Sequence, residues 1–200
     1  ECDINNISSE SINFESVTKV NIPNTVTYIK NKCFCEFHCL KEVNIPTSVT
    51  KIEDYAFSGC SLLEHITIPS SITFIGEYAF NKCSLLQEIT LPSSMTLIND
   101  YTFNECTSLE NISIPLSIKS IGKCAFLDCS SLMKITIPSS VTKIGDFAFN
   151  GCSSLENIII PLSIKTIGSK AFEGVKSIEI ECDINNISSE SINFGSVTKV

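Results

Sequence analysis

The chain has 200 residues, 43% hydrophobic and 18% charged, with a net charge of −8. Its 14 basic residues are all lysine. Nucleic-acid binders need a basic face, usually with Arg for bidentate contacts, so that class is disfavoured. No run approaches the roughly 18 apolar residues of a membrane span.

The first 20 residues, ECDINNISSESINFESVTKV, are Asn/Ser-rich and carry an N-x-S acceptor at Asn6. They open at Glu1 with no initiator Met and no basic-then-apolar leader, which reads as a mature chain or an interior window. Residues 1–19 are expected to be the end of an irregular coil.

From about Val20 to Gly174 the sequence repeats every 23 residues. Prolines hold the period at Pro23, Pro46, Pro69, Pro92, Pro115, Pro138 and Pro161. Ile29, Ile52, Ile75, Ile98, Ile121, Ile144 and Ile167 fill a second column, and Phe34 through Phe172 a third. A fixed period of this length marks stacked units that cannot bury their apolar sides alone. In the copy at 139–161, Ile158 and Ile160 alternate with Ile159, which is a strand period. Pro161 lacks an N–H and ends that strand. Val141 and Ile144 form a second extended segment, and Gly145 permits a bend. DFAFNGC, 146–152, is expected to be one turn of α or 3-10 helix with Ala148, Phe149 and Cys152 inward. Strands of neighbouring coils would pair in parallel, about 4.8 Å apart.

The columns Leu155, Ile158, Ile160, Pro161, Val141, Ile144, Gly145, Ala148, Phe149 and Cys152, with their equivalents, resemble the 23-residue repeat of BspA-like leucine-rich repeat proteins. The resemblance implies an α/β solenoid: a right-handed coil stack with a parallel β-sheet and short helical or 3-10 turns. It also implies secreted or cell-surface adhesins in bacteria and protists, with no shared catalytic residues and no cofactor.

Two places depart from the pattern. In the first coil, NKCFCEFHC puts Phe37 in the cysteine column. After Gly174 the AF pair and the proline are lost, so 175–200 reads as a degenerate coil without a helical turn, leading into the next long unit. Residues 181–200 repeat 1–20 with one difference, Glu15 against Gly195. This second period of 180 residues looks like neighbouring units of an encoded array. The solenoid is therefore expected to continue head to tail beyond this stretch, with itself as its partner.

The chemistry candidates are few. Cys60, Cys83, Cys106, Cys129 and Cys152 form a ladder expected to be buried, unpaired thiols. Cys33, Cys35, His38 and Cys39 have the ligand types and spacing of a zinc site. Alternatives are a Cys35–Cys39 disulfide, or free thiols with Cys33 in a small-residue column. His65 sits in a solvated column before a strand. Threonine and serine columns read as hydrogen-bonded ladders, or as a hydroxyl face for adhesion or O-glycosylation. N-glycan is expected at Asn6 and Asn186, and at Asn111 against its commitment to a strand. No G-x-S-x-G elbow, G-x-G-x-x-G or P-loop occurs. The expectation is a non-enzymatic extracellular fibre or stalk, glycan-coated. The alternative is a surface adhesin whose concave sheet binds a glycan or a host or cell-surface protein.

Overall fold

The computed structural model describes residues 16–181. Each coil contributes two short extended stretches, because β-branched residues recur at two places per period and proline or a tight turn interrupts them. The strands in chain order are β1 (Lys19–Asn21), β2 (Tyr28–Ile29), β3 (Glu42–Asn44), β4 (Lys51–Ile52), β5 (Phe74–Ile75), β6 (Glu88–Thr90), β7 (Leu97–Ile98), β8 (Asn111–Ser113), β9 (Ser120–Ile121), β10 (Lys143–Ile144), β11 (Ile158–Ile160), β12 (Thr166–Ile167) and β13 (Ile178–Ile180).

They fall into two parallel ladders. The first pairs β1 with β3, β6 with β8 and β11 with β13, and single bridges from His65 to Glu88 and Asn111 to Lys134 extend it. The second runs β2-β4-β5 and β7-β9-β10-β12. Register is set by the period: Val20 faces Val43 and Ile144 faces Ile167. The coil after β11 is shorter, since Ile158 pairs with Ile178 only 20 residues on.

Between the ladders lies one continuous core. Phe34, Phe57, Phe80, Phe103, Phe126, Phe149 and Phe172 stack with centroids 5.2–5.7 Å apart. Stacked pairs of this kind add about 0.5–1.5 kcal/mol each beyond the area they bury.

The expected helical turn does not form. Phe147 has φ 56° and Gly151 φ 75°, and the equivalents Tyr55, Tyr78, Tyr101 and Cys124 are likewise left-handed. Two left-handed residues four apart cannot belong to a right-handed helix. Their amides, with the phenylalanine amide between them, point along the stack instead. Tyr55, Phe57 and Gly59 donate to the carbonyls of Glu77, Ala79 and Asn81. Amides in between close tight turns, as from Ser58 to the Tyr55 carbonyl. Left-handed tyrosine costs roughly 1–2 kcal/mol, offset here by hydrogen bonds that tie each coil to the next. The turn is a third inter-coil ladder.

Gly145 is not a bend residue. Its φ is not left-handed, and a Cβ there would sit 2.5 Å from the Lys123 nitrogen. It is needed for close approach of two backbones.

Candidate functional site

Three exposed surfaces follow from this architecture: the outward faces of the two ladders and the turn side. The outward face of the first ladder has mixed charge. Lys19 pairs with Glu42 at 2.8 Å, and His65, Glu88, Asn111 and Lys134 continue the same exposed column. Asn44 donates its side-chain amide to Asn21 at 2.6 Å. His65 is exposed, and no catalytic partner stands near it among the described hydrogen bonds and ion pairs.

On the second ladder the threonine hydroxyls are spent on the fold. Thr50, Thr73 and Thr142 each donate to the carbonyl one coil back, at 3.2–3.3 Å. Ser48, Ser71, Ser140 and Ser163 do the same from the preceding turn. The acceptors are backbone carbonyls, so these are coil-to-coil braces rather than hydroxyl–hydroxyl ladders.

The outward side chains of this ladder differ from those of the first. Tyr28 is 42% exposed, and Phe74 and Leu97 are each 36% exposed. Lys51, Lys119, Lys143 and Lys165 stand among them, all exposed. A shallow groove of about 370 Å³, lined by Gly122, Gly145 and Gly168 among others, runs along the stack beside Lys123 and Lys143. These residues were missed in the sequence as a group. The signal that could have found them is a two-coil spacing, with Tyr28 and Phe74, and Lys119 and Lys165, each 46 residues apart.

The turn side carries a stack of tyrosines. The rings of Tyr55, Tyr78 and Tyr101 lie 4.4–4.6 Å apart and nearly parallel. Lys32 and Lys123 cover the two ends at 5.4 and 5.9 Å from the ring centroids. Desolvation, with Tyr101 and Tyr55 on either side, pushes the Tyr78 phenol up to about 12.

The ladder cysteines Cys60, Cys83, Cys106, Cys129 and Cys152 lie in the core as free thiols, none of them accessible. Each donates to the carbonyl of the phenylalanine 26 residues earlier, at 3.1–3.2 Å. Burial pushes all five thiols up, Cys152 to about 12.

Cys33, Cys35, His38 and Cys39 are not gathered into a metal-holding group, and no cluster of three His, Cys, Asp or Glu occurs among the described residues. The four side chains go separate ways. Cys33 packs against the core, and burial pushes its thiol up to about 11. Cys35 meets Ser58 of the next coil. His38 uses Nδ1 on the Gly59 carbonyl at 3.0 Å and Nε2 on Glu36 at 3.3 Å. Cys35 and Cys39 stand as free thiols, so the expected disulfide is absent from this structure. Asn111 is exposed on β8; Asn6 and Asn186 lie outside the described residues. Among the described residues, no helix is long and apolar enough to cross a membrane.

The sequence profile of the BspA type leucine-rich repeat region matches residues 5–132 and 96–200, together nearly the whole chain. The chain belongs to the BspA-type leucine-rich repeat family. Solved structures agree with this placement. A leucine-rich repeat protein from Eubacterium ventriosum is 30% identical with a TM-score of 0.72, over 80% of this chain. A leucine-rich repeat protein of T. pallidum is 32% identical with a TM-score of 0.61, over 66% of this chain. The match spans 43% and 66% of those two proteins' own lengths. No curated protein is significantly similar to the chain.

Proposed function

We propose that this BspA-type solenoid is part of an extracellular or cell-surface structural protein, a fibre or stalk built from tandem 180-residue units. The observation that carries the reading is the near-identity of 1–20 and 181–200, which differ at one position in 20. Runs of Asn, Ser and Glu are not what the packing of a core selects, so such a match is a copied unit rather than a constraint of the fold. The coil-to-coil ladders add support, because each coil offers the next the same backbone donors and acceptors. Glycan at Asn6, Asn111 and Asn186 belongs to the same reading.

Electron microscopy and sedimentation of the native material test it. Rods whose length grows with the number of units are expected. A monodisperse species near the 21.9 kDa of this chain, with ordered caps at both ends of the stack, contradicts it.

A second reading, a surface adhesin, is favoured by one observation. The second ladder exposes an aromatic and basic strip that the stacking of coils does not require.

A further inference from the structure

Two adjacent columns run along the second ladder, one at the first position of its strands and one just before them. One is threonine except at Lys119 and Lys165; its neighbour runs Tyr28, Lys51, Phe74, Leu97, Ser120 and Lys143. Together they hold four lysines and no carboxylate, in a chain with 22 acidic residues against 14 basic. All four lysines are exposed, and no ion pair engages them among the described residues. Like charges along one face repel, so the fold gains nothing from them. Threonine, which fills the equivalent positions elsewhere, braces the coils without that cost.

The spacing narrows the ligand. Lys119 and Lys165 stand two coils apart in one column, and Tyr28 and Phe74 two coils apart in the other, paired in register through Lys51. Two coils correspond to about 9.6 Å along the stack. A polysaccharide that alternates a uronic acid with a hexosamine offers one carboxylate and one apolar ring face per disaccharide, over a length of that order. We propose that this face binds such an acidic polysaccharide, laid along the stacking axis. The lysines meet its carboxylates, and Tyr28 and Phe74 meet the C–H faces of its sugars. The groove beside Lys123 and Lys143 continues the path. Its wall also carries Asp100 and Asp146, each holding a backbone N–H of the following coil. The inference deepens the adhesin reading and stands whether or not the units form a fibre.

The test is titration of the purified chain with an unsulfated hyaluronan decasaccharide across a range of salt. Saturable binding that weakens with salt is expected. Lys119→Gln with Lys165→Gln should lower the affinity tenfold or more. Tyr28→Ala with Phe74→Ala should lower it at every salt concentration, with the salt slope kept. Lys134→Gln on the first ladder should leave it unchanged. Should the aromatic pair lower the melting temperature, the lysine pair, which makes no ion pair in the structure, still decides the question. Three results would each overturn the inference: no saturable binding of hyaluronan, equal losses from Lys134→Gln and the lysine pair, or equally tight binding of duplex DNA.

Discussion

Asp100 reaches one coil forward and accepts the backbone N–H of Lys123 through Oδ1 at 2.7 Å. Asp54 does the same for Glu77 and Asp146 for Ser169, so the brace recurs every second coil. In each case a glycine precedes the donor: Gly76, Gly122 and Gly168. A Cβ on Gly122 would lie 2.5 Å from the Asp100 oxygen and 2.7 Å from its nitrogen. The aspartate and the glycine are one device.

Gly122→Ala is expected to destabilise by about 1–3 kcal/mol, the usual cost of forcing atoms into a filled space. Asp100→Ala should cost about 1 kcal/mol, the net worth of a typical intramolecular hydrogen bond. Because the two groups compete for one space, the double variant should lose less than the sum. Urea denaturation measures all three; strictly additive losses would mean that the pair is not coupled.

Asn104 shows where a side-chain ladder breaks. Asn81 donates to Ser58 at 3.1 Å and Asn104 to Asn81 at 2.7 Å. The next residue in the column is Leu127, and the buried Oδ1 of Asn104 has no partner. An unsatisfied buried acceptor costs about 1–3 kcal/mol. Leu127→Asn supplies a donor and should raise stability by about 1 kcal/mol. An unchanged or lower urea midpoint would show that the oxygen is already satisfied in solution.

The thiol ladder makes stability depend on alkaline pH. Burial raises each of the five thiols above the ordinary value of 9.0, Cys152 to about 12. Above pH 9 the unfolded chain releases these protons while the folded chain keeps them. The folded state then binds more protons, so stability falls as pH rises. The contribution is intact below pH 9 and is lost on the way toward pH 12. Melting temperature should fall between pH 9 and 11, and fall less in Cys106→Ala. At pH 8, iodoacetamide should spare the five ladder thiols until the chain is unfolded. Rapid modification of Cys83 or Cys106 in the folded protein would contradict their placement.

How much of this was legible follows from what each residue does. Ile144, Phe149 and Cys152 repeat because a core column tolerates little else, so period, coil and parallel stacking could be read from the sequence. The turn could not. DFAFNGC has helix-like spacing, but left-handed φ at Phe147 and Gly151 turns its amides toward the next coil, and nothing in a tyrosine, phenylalanine or lysine announces that conformation. The choice among the alternatives for Cys33, Cys35, His38 and Cys39 was open in the sequence for a related reason. Close spacing in sequence brings ligands together on a helix or hairpin, whereas here Cys35 meets the next coil at Ser58. The brace at Asp54, Asp100 and Asp146, Lys119 with Lys165, and Tyr28 with Phe74 follow a 46-residue spacing. A 23-residue reading averages it away.

The central claim is that coil continues into coil from one 180-residue unit to the next. Helical reconstruction of the native assembly by electron cryomicroscopy tests it most directly. Eight coils per unit give an axial repeat of about 38 Å for a straight stack, and less if it supercoils, on an underlying spacing of about 4.8 Å. An assembly with that repeat and parallel coil-to-coil strand pairing unbroken across the unit boundary is the predicted result. Units separated by a non-solenoid linker, or single capped stacks with no axial repeat, would contradict it.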